Sequence, residues 1–313
     1  MMFVFKKDQQ TYDFGGVKIG GHPGENPTVL IGGLFFKGQP IVENTRAGKF
    51  DKKEAKKWVE EAVSLQTITG HPLIVEVYGR TPKAMETHLS WLAEEFDGPI
   101  MFESVNTDAR IRGIQYCEES GLQERAIFNS LISSIRPEEQ EALKASSLNK
   151  AVVLGWSPKA ISLPERMEIV MDLLTMAGDL GVEKVLVDPG IVPIGAGYGL
   201  GYRTTLAVKS ELGLPTCLAP HNAPSAWRLL KRSGFDSDST HTAAIVASTV
   251  AAQLFASDAI FYGSMIRSRE VFTAVSLIAH AMFSALGEAN RALGVERPLF
   301  DPEKAYVEAR DET

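Results

Sequence analysis

Several short apolar, largely β-branched runs in this chain end in carboxylate or carboxamide side chains. Glu76 lies in the run 73–78, Met101-Phe102-Glu103-Ser104 in 100–105, and Phe128-Asn129-Ser130 closes 126–130. Val187-Asp188-Pro189-Gly190 ends the run 184–188, and Ala219-Pro220-His221-Asn222 ends the run 216–219. Singly, each has an ordinary structural account. Asp-Pro-Gly after a strand is commonly a turn, Asn at a strand end often caps the next helix, and a lone Glu can simply pair with a neighbouring Lys. Jointly they read differently. If the runs are parallel strands, the same ends converge on one cavity, and polar groups without partners are costly to bury.

A ring of Asp, Glu and Asn with no Lys or Arg among them offers acceptors to amino and N–H groups, and bidentate amide contacts. That suits a 2-amino-4-oxo pyrimidine edge, such as a pterin presents, better than a phosphate or a sugar acid. No Ser or Cys with an obvious base stands out, so a covalent enzyme intermediate is not expected. His221 adjoins Asn222 and titrates in the right range for a proton donor. If Asn222 faces the cavity from a true strand, however, alternation turns His221 away. The run Gly190-Ile-Val-Pro-Ile-Gly195-Ala-Gly197-Tyr-Gly199-Leu-Gly201 fits neither a dinucleotide fingerprint nor a phosphate loop. It is expected to be a mobile loop over the site. Cys117 and Cys217 are a hundred positions apart with no Cys or His at ligand spacing, so no metal site is expected.

The elements that must position these groups follow from periodicity. Strand runs are predicted at 28–32, 73–78, 100–105, 126–130, 151–155, 184–188, 216–219 and 259–262. Helix starts lie between them: Asp51-Lys-Lys-Glu54 has capping-box spacing, and Thr81-Pro82, Arg136-Pro137-Glu138, Leu163-Pro164-Glu165 and Pro224-Ser225 place proline where a first turn accepts it. Eight strands alternating with helices over about 250 residues is the arithmetic of an α/β TIM (β/α)8 barrel, with a doubly wound open sheet as competitor. Phe3-Val-Phe5, Tyr12-Asp-Phe14, Gly15-Gly16 and Val17-Lys-Ile19 read as an N-terminal β-hairpin within residues 1–25, placed to plug the barrel bottom. An insertion over 37–50 and an extra helix over 240–256 interrupt the pattern, and 287–313 reads as a polar surface tail. With no repeat or linker, 1–313 is taken as one domain.

Composition sets the outer limits. The 313 residues include 32 Lys+Arg and 39 Asp+Glu, for a net charge of −7. The basic residues are scattered singly or in pairs, which argues against nucleic acid. At 44% hydrophobic and 23% charged the chain is of ordinary soluble composition, and disorder as the main state is excluded. The apolar start before Lys6-Lys7-Asp8 is too short for a secretory segment, so the mature chain is expected to begin here. Two cysteines and no targeting segment point to the cytoplasm. The apolar stretches 242–259 and 271–286 are broken by Gln253, Asp258 and His280 and are expected to be buried helices rather than membrane insertions.

Three segments carry a family resemblance. They are Gly20-Gly-His-Pro-Gly-Glu-Asn-Pro-Thr-Val-Leu-Ile-Gly32, Phe35-Phe-Lys-Gly-Gln-Pro-Ile-Val42 and His221-Asn-Ala-Pro-Ser-Ala-Trp227. The chain resembles the pterin-dependent methyltransferases: the H component of the tetrahydromethanopterin S-methyltransferase complex of methanogens, and the bacterial methylcorrinoid:tetrahydrofolate methyltransferases. The likeness runs, in order and with like spacing, over about residues 3–283.

The resemblance implies a TIM-barrel methyltransferase of one-carbon metabolism. It would bind a reduced pterin, tetrahydrofolate or tetrahydromethanopterin, and exchange a methyl group between pterin N5 and the cobalt of a corrinoid. It implies Asn129, Asp188 and Asn222 as pterin contacts, with Asn222 at N5 and Asp188 and Glu103 on the pyrimidine edge; Glu76 and Ser130 complete the expected binding set. Glu103 stands where relatives usually show Asp in an Asp-Ser pair. No His has Asp two residues before and Gly three after, so the corrinoid must come on a partner protein. Relatives are often dimeric, and the helix over 271–286 would suit a homodimer contact. Two other readings stay open: a dihydropteroate-synthase-like condensation, and a non-catalytic pterin-binding or scaffold subunit.

Overall fold

The computed structural model describes residues 5–195 and 197–311, the side chains of 307–311 excepted. A hairpin, β1 (Thr11–Phe14) and β2 (Val17–Gly20), pairs antiparallel in the register Thr11↔Gly20. The main sheet begins with β3 (Val29–Leu34), and a ribbon of β4 (Val42–Asn44) and β5 (Lys49–Phe50) lies in its connection to the first helix. It continues through β6 (Leu73–Tyr78), β7 (Ile100–Glu103), β8 (Ala126–Leu131), β9 (Lys150–Leu154), β10 (Lys184–Asp188), β11 (Cys217–Leu218) and β12 (Ala259–Ser264). These eight strands pair in parallel in the order β10-β9-β8-β7-β6-β3-β12-β11. A parallel bridge Val187↔Thr216, with the Val187 N–H donating to the Pro215 carbonyl at 3.0 Å, joins the two ends. The sheet is therefore a TIM barrel, as its alternating pattern predicts. Phe3 and Val4 of the expected hairpin lie outside the described residues.

Helices follow the strands: α1 (Lys52–Thr69), α2 (Pro82–Glu95), α3 (Thr107–Glu119), α4 (Pro137–Lys144), α5 (Leu163–Asp179), α6 (Tyr198–Ala207), α7 (Asn222–Ala226), α8 (Asp238–Leu254), α9 (Ser268–Leu293) and α10 (Pro302–Asp311). Their starts follow from local chemistry. Asp51 accepts the Glu54 N–H at 3.0 Å and Thr81 the Ala84 N–H at 3.2 Å, satisfying donors that a first turn leaves free. Strand ends have local causes too. β7 stops at Glu103 because Ser104 Oγ donates to the Gly79 carbonyl at 2.5 Å and accepts the Asn106 N–H, while Asn106 caps α3. β11 has only two residues because Pro215 and Pro220, which have no N–H, bracket it.

The period of two sorts each barrel strand into an outward and an inward set. Leu73, Val75 and Val77 of β6 face the helices, whereas Ile74 joins Val29, Ile31, Met101, Ile127, Val152, Leu186, Cys217 and Phe261 inside the barrel. Phe14 and Ile19 of the hairpin, nearly or wholly buried, belong to the same inner cluster and close its lower end, as expected. Beside them Lys209, fully buried, donates to the Gly21 carbonyl and to both Asp258 oxygens at 2.7 and 2.9 Å. Asp258 in turn accepts the Thr216 N–H.

Three expectations are corrected. The stretch 287–313 is not a bare tail: α9 runs on to Leu293, and Phe300 and Ala305 pack at Gly70, whose φ of +68° ends α1. Glu312 and Thr313 lie outside the described residues. The glycine run is not all loop, since α6 starts at Tyr198 and Gly201 sits so close to the Gly190 carbonyl that a Cβ would lie 2.7 Å from it. Ala196, within that run, is also outside the described residues. Finally, α9 is amphipathic rather than buried. Val271, Phe272, Val275 and Met282 face the barrel while Leu277 is 69% exposed, and the segment Met265–Leu293 is long and apolar enough by composition to cross a membrane.

Candidate active site

Two residues beyond the inner apolar layer, the same alternation delivers polar side chains to the C-terminal mouth. Ile74 is followed by Glu76, Met101 by Glu103, Ile127 by Asn129 and Leu186 by Asp188, and the ladder sets Glu103 beside Asn129. These four, with Ser130 and Asn222, line one cavity of about 480 Å³. All six residues singled out in the sequence thus reach the same space. Asn129 and Ser130 both reach it because the β8–β9 register breaks between Asn129 and Leu131, which suspends strict alternation.

The carboxyl groups are held unlike free ones. Glu76 is buried and accepts Asn129 Nδ2 at 2.7 Å. Its carboxyl shares the cavity with that of Glu103, and each acts on the other electrostatically. Burial, then the Glu103 charge, pushes Glu76 well above the usual carboxylate range. Burial also raises Glu103, opposed by the Arg110 guanidinium behind it. Both carboxyls therefore hold their protons more tightly than a free glutamic acid does. Arg110 is itself fixed by the Ser130 carbonyl at 2.7 Å and by buried Glu139 at 2.6 Å. Asp188 is pushed up to about 7 by burial, against the Gly190 N–H that it accepts at 2.8 Å and the charge of Arg166. Buried Arg166 grips the Pro189 and Gly190 carbonyls at 2.6 Å, fixing the turn that presents Asp188.

Asn222 departs from the strand-end picture. β11 ends at Leu218, and Asn222 is the exposed first residue of α7, so strand alternation does not govern it. His221 accordingly lines the cavity as well, which corrects the expectation that it turns away. Its Nδ1–H donates to the Phe261 carbonyl at 2.9 Å, leaving Nε2 as an acceptor, and burial lowers its pKa so that the ring is neutral.

Sequence reasoning misses the apolar walls: Phe36, which stacks on Tyr78, Leu154, Trp156 and the 191–193 segment. A signal for Trp156 exists, since the alternation Val152, Leu154 points the next even residue inward. Gly190, at φ +73°, allows its approach, because a Cβ there would lie 2.6 Å from Trp156 Cβ. Among the described residues no group of three or more His, Cys, Asp or Glu is placed to hold a metal ion.

A cavity walled by Phe36, Leu154 and Trp156 and lined by carboxyl and amide groups at the C-terminal mouth marks a TIM-barrel protein with a candidate ligand site there. Its relatives give it a family. Residues 7–298 match the family described as "Tetrahydromethanopterin S-methyltransferase MtrH subunit", and the chain belongs to that family. It is a methyltransferase, in keeping with that membership. It is 37% identical over 307 residues to the H component of tetrahydromethanopterin S-methyltransferase of Methanothermobacter marburgensis, covering 96% of this chain and 99% of the relative. It is 36% identical to the H component of the putative methyltransferase mtx of Methanosarcina mazei, over 87% of this chain and 90% of that one. Among solved structures, a Yersinia pestis dihydropteroate synthase with a sulfonamide drug aligns with TM-score 0.57 at 16% identity, over 88% of this chain and all of that one. That likeness is one of fold.

Proposed function

We propose that this enzyme exchanges a methyl group between N5 of a reduced pterin, tetrahydrofolate or tetrahydromethanopterin, and the cobalt of a corrinoid brought by a partner protein. The observation that carries this reading is the convergence of Glu76, Glu103, Asn129 and Asp188 in one cavity of about 480 Å³ in a chain of this family. That volume suits a bicyclic ring, and the donor and acceptor set suits a pyrimidine edge. A corrinoid supplies the cobalt that takes or gives the methyl group.

The chain's own residues bind and orient. Asp188 and Glu103 accept from the amino and N–H groups of the pyrimidine, and Asn129, tied to Glu76, fixes the ring plane. Trp156 and Phe36, which line the cavity, offer the ring apolar surface and keep water from it. N5 gains or loses charge as its bond to the methyl group forms or breaks. Asn222, whose carboxamide donates or accepts, follows that change, and the neutral His221 beside it offers an acceptor at Nε2. Positioning and preorganised hydrogen bonds supply the rate.

The test is anaerobic. Purified protein is mixed with methylcobalamin and each pterin in turn, and the methyl-Co(III) absorbance is followed. Its loss with one pterin supports the reading and names the carrier. If neither pterin causes loss, and calorimetry finds no pterin binding, the reading fails.

A further inference from the structure

Side chains scattered in sequence are gathered at the barrel mouth by the fold. The eight connections that lead from barrel strands to helices, residues 35–51, 79–81, 104–106, 132–136, 155–162, 189–197, 219–237 and 265–267, hold ten of the 32 Lys and Arg but three of the 39 Asp and Glu. The rest of the chain has 22 against 36. A protein of net charge −7 thus presents a rim of net charge +7 around its cavity.

Nine of the ten cations are exposed, and among the described residues only Arg267 makes an ion pair, with Asp238. Large apolar side chains stand out between them on five of the eight connections: Val105, Ile161, Ile194, Phe235 and Ile266. Val105 and Ile161, at 83% and 80%, are the most exposed large hydrophobic residues described.

We propose that this rim is the docking surface for an acidic face of the corrinoid-carrying protein. The inference rests on the function proposed above and adds the partner's chemistry and the residues that meet it. Unpaired cations spread over six connections steer an anionic macromolecule across tens of ångströms. Exposed apolar side chains among them then anchor it once water is expelled. The anionic tail of a small substrate would need only a few convergent cations and no apolar ring. The acidic remainder of this chain is repelled by the same partner, so docking is confined to the face where the cavity opens.

The experiment compares three methyl donors at a saturating pterin concentration: free methylcobalamin, methylcobalamin loaded on a purified corrinoid-binding domain with an acidic surface, and the same domain with its acidic face changed to Asn and Gln. The variants are Arg228→Glu/Lys231→Glu/Arg232→Glu and Ile161→Ser/Phe235→Ser, with thermal melts to check folding. For the acidic domain, the triple reversal raises KM at least tenfold at low salt with kcat little changed, and 0.5 M KCl erases most of the difference. The apolar pair raises KM at both salt concentrations, and rates with free methylcobalamin do not move.

A folded triple variant whose KM for the acidic domain stays within twofold of the parent overturns the proposal. So does equal KM for the acidic and neutralised domains. With pterin varied instead at saturating methyl donor, a rise confined to the KM for pterin also overturns it, by assigning the cations to the substrate's tail. Failure of free methylcobalamin to react, with no pterin binding, strikes the underlying function instead.

Discussion

Asp188 is the residue whose environment most constrains its chemistry. With its folded pKa near 7 against 3.8 for a free Asp, it holds its proton in the fold at pH values where the unfolded chain has lost it. Between about pH 4 and 7 the native state therefore binds more protons, and stability falls as pH rises. Asp188→Asn removes that dependence. Chemical denaturation from pH 4 to 8 is expected to show the variant gaining on the parent with rising pH, by on the order of 2 kcal/mol at pH 8. A parallel pH dependence in both proteins would place the perturbed group elsewhere. The same variant should bind pterin more weakly by about 1.5 to 3 kcal/mol, the usual value of a hydrogen bond to a charged group; titration calorimetry measures it. Asn222→Ala is expected to slow methyl transfer about tenfold or more while shifting the melting temperature little, because an exposed side chain at a cavity edge contributes little to stability. Unchanged turnover would remove Asn222 from the mechanism. At this scale the sequence is informative about residue types. It is silent on the raised carboxyls of Glu76 and Glu103, because a period of two says that both face inward and not that burial brings their charges together.

Among the elements, the β10–α6 connection bears most on the site. Gly190 is both the acceptor end of the Arg166 clamp and the N–H that Asp188 accepts, and its positive φ makes room for Trp156. Gly190→Ala is expected to cost about 1 to 3 kcal/mol of stability and to weaken pterin binding at the same time, read by urea unfolding and calorimetry on one preparation. Loss of stability with normal affinity would mean that the Asp188 and Trp156 positions tolerate the strain. Strand runs at 73–78 and 184–188 coincide with β6 and β10, since their ends are set by local apolar patterning. The apolar pattern extends a strand towards Asn222 where the fold has β11 and then α7, because two prolines cut the ladder where hydrophobicity alone continues it. The outer face of α9 escapes the pattern for a related reason. Apolar Leu277 and Phe283 stand on that outer face as well, and only packing shows which side meets the barrel.

For the whole molecule, the hairpin fills the lower end of the barrel. Phe14 is fully buried inside the lower end of the barrel, against side chains contributed by all eight strands. Phe14→Ala is expected to destabilise the fold by about 3 to 5 kcal/mol with methyl transfer per folded molecule unchanged, since the cavity lies at the other end; denaturant curves and active-site titration separate the two. A small loss would mean that the barrel closes without its plug. The sequence by itself determined the α/β alternation, the inward phase of each strand and the residue types at the strand ends. It could do so because side-chain direction in a strand, the capping of a helix and the punctuation by proline and glycine are settled within a few residues. The tertiary structure alone decided which of those carboxyls are buried against one another, that His221 joins Asn222 at the cavity, and that cations scattered over two hundred residues form one rim. Those outcomes depend on distances between strands far apart in the chain, and burial there changes a carboxyl's charge more than its own neighbours in sequence do.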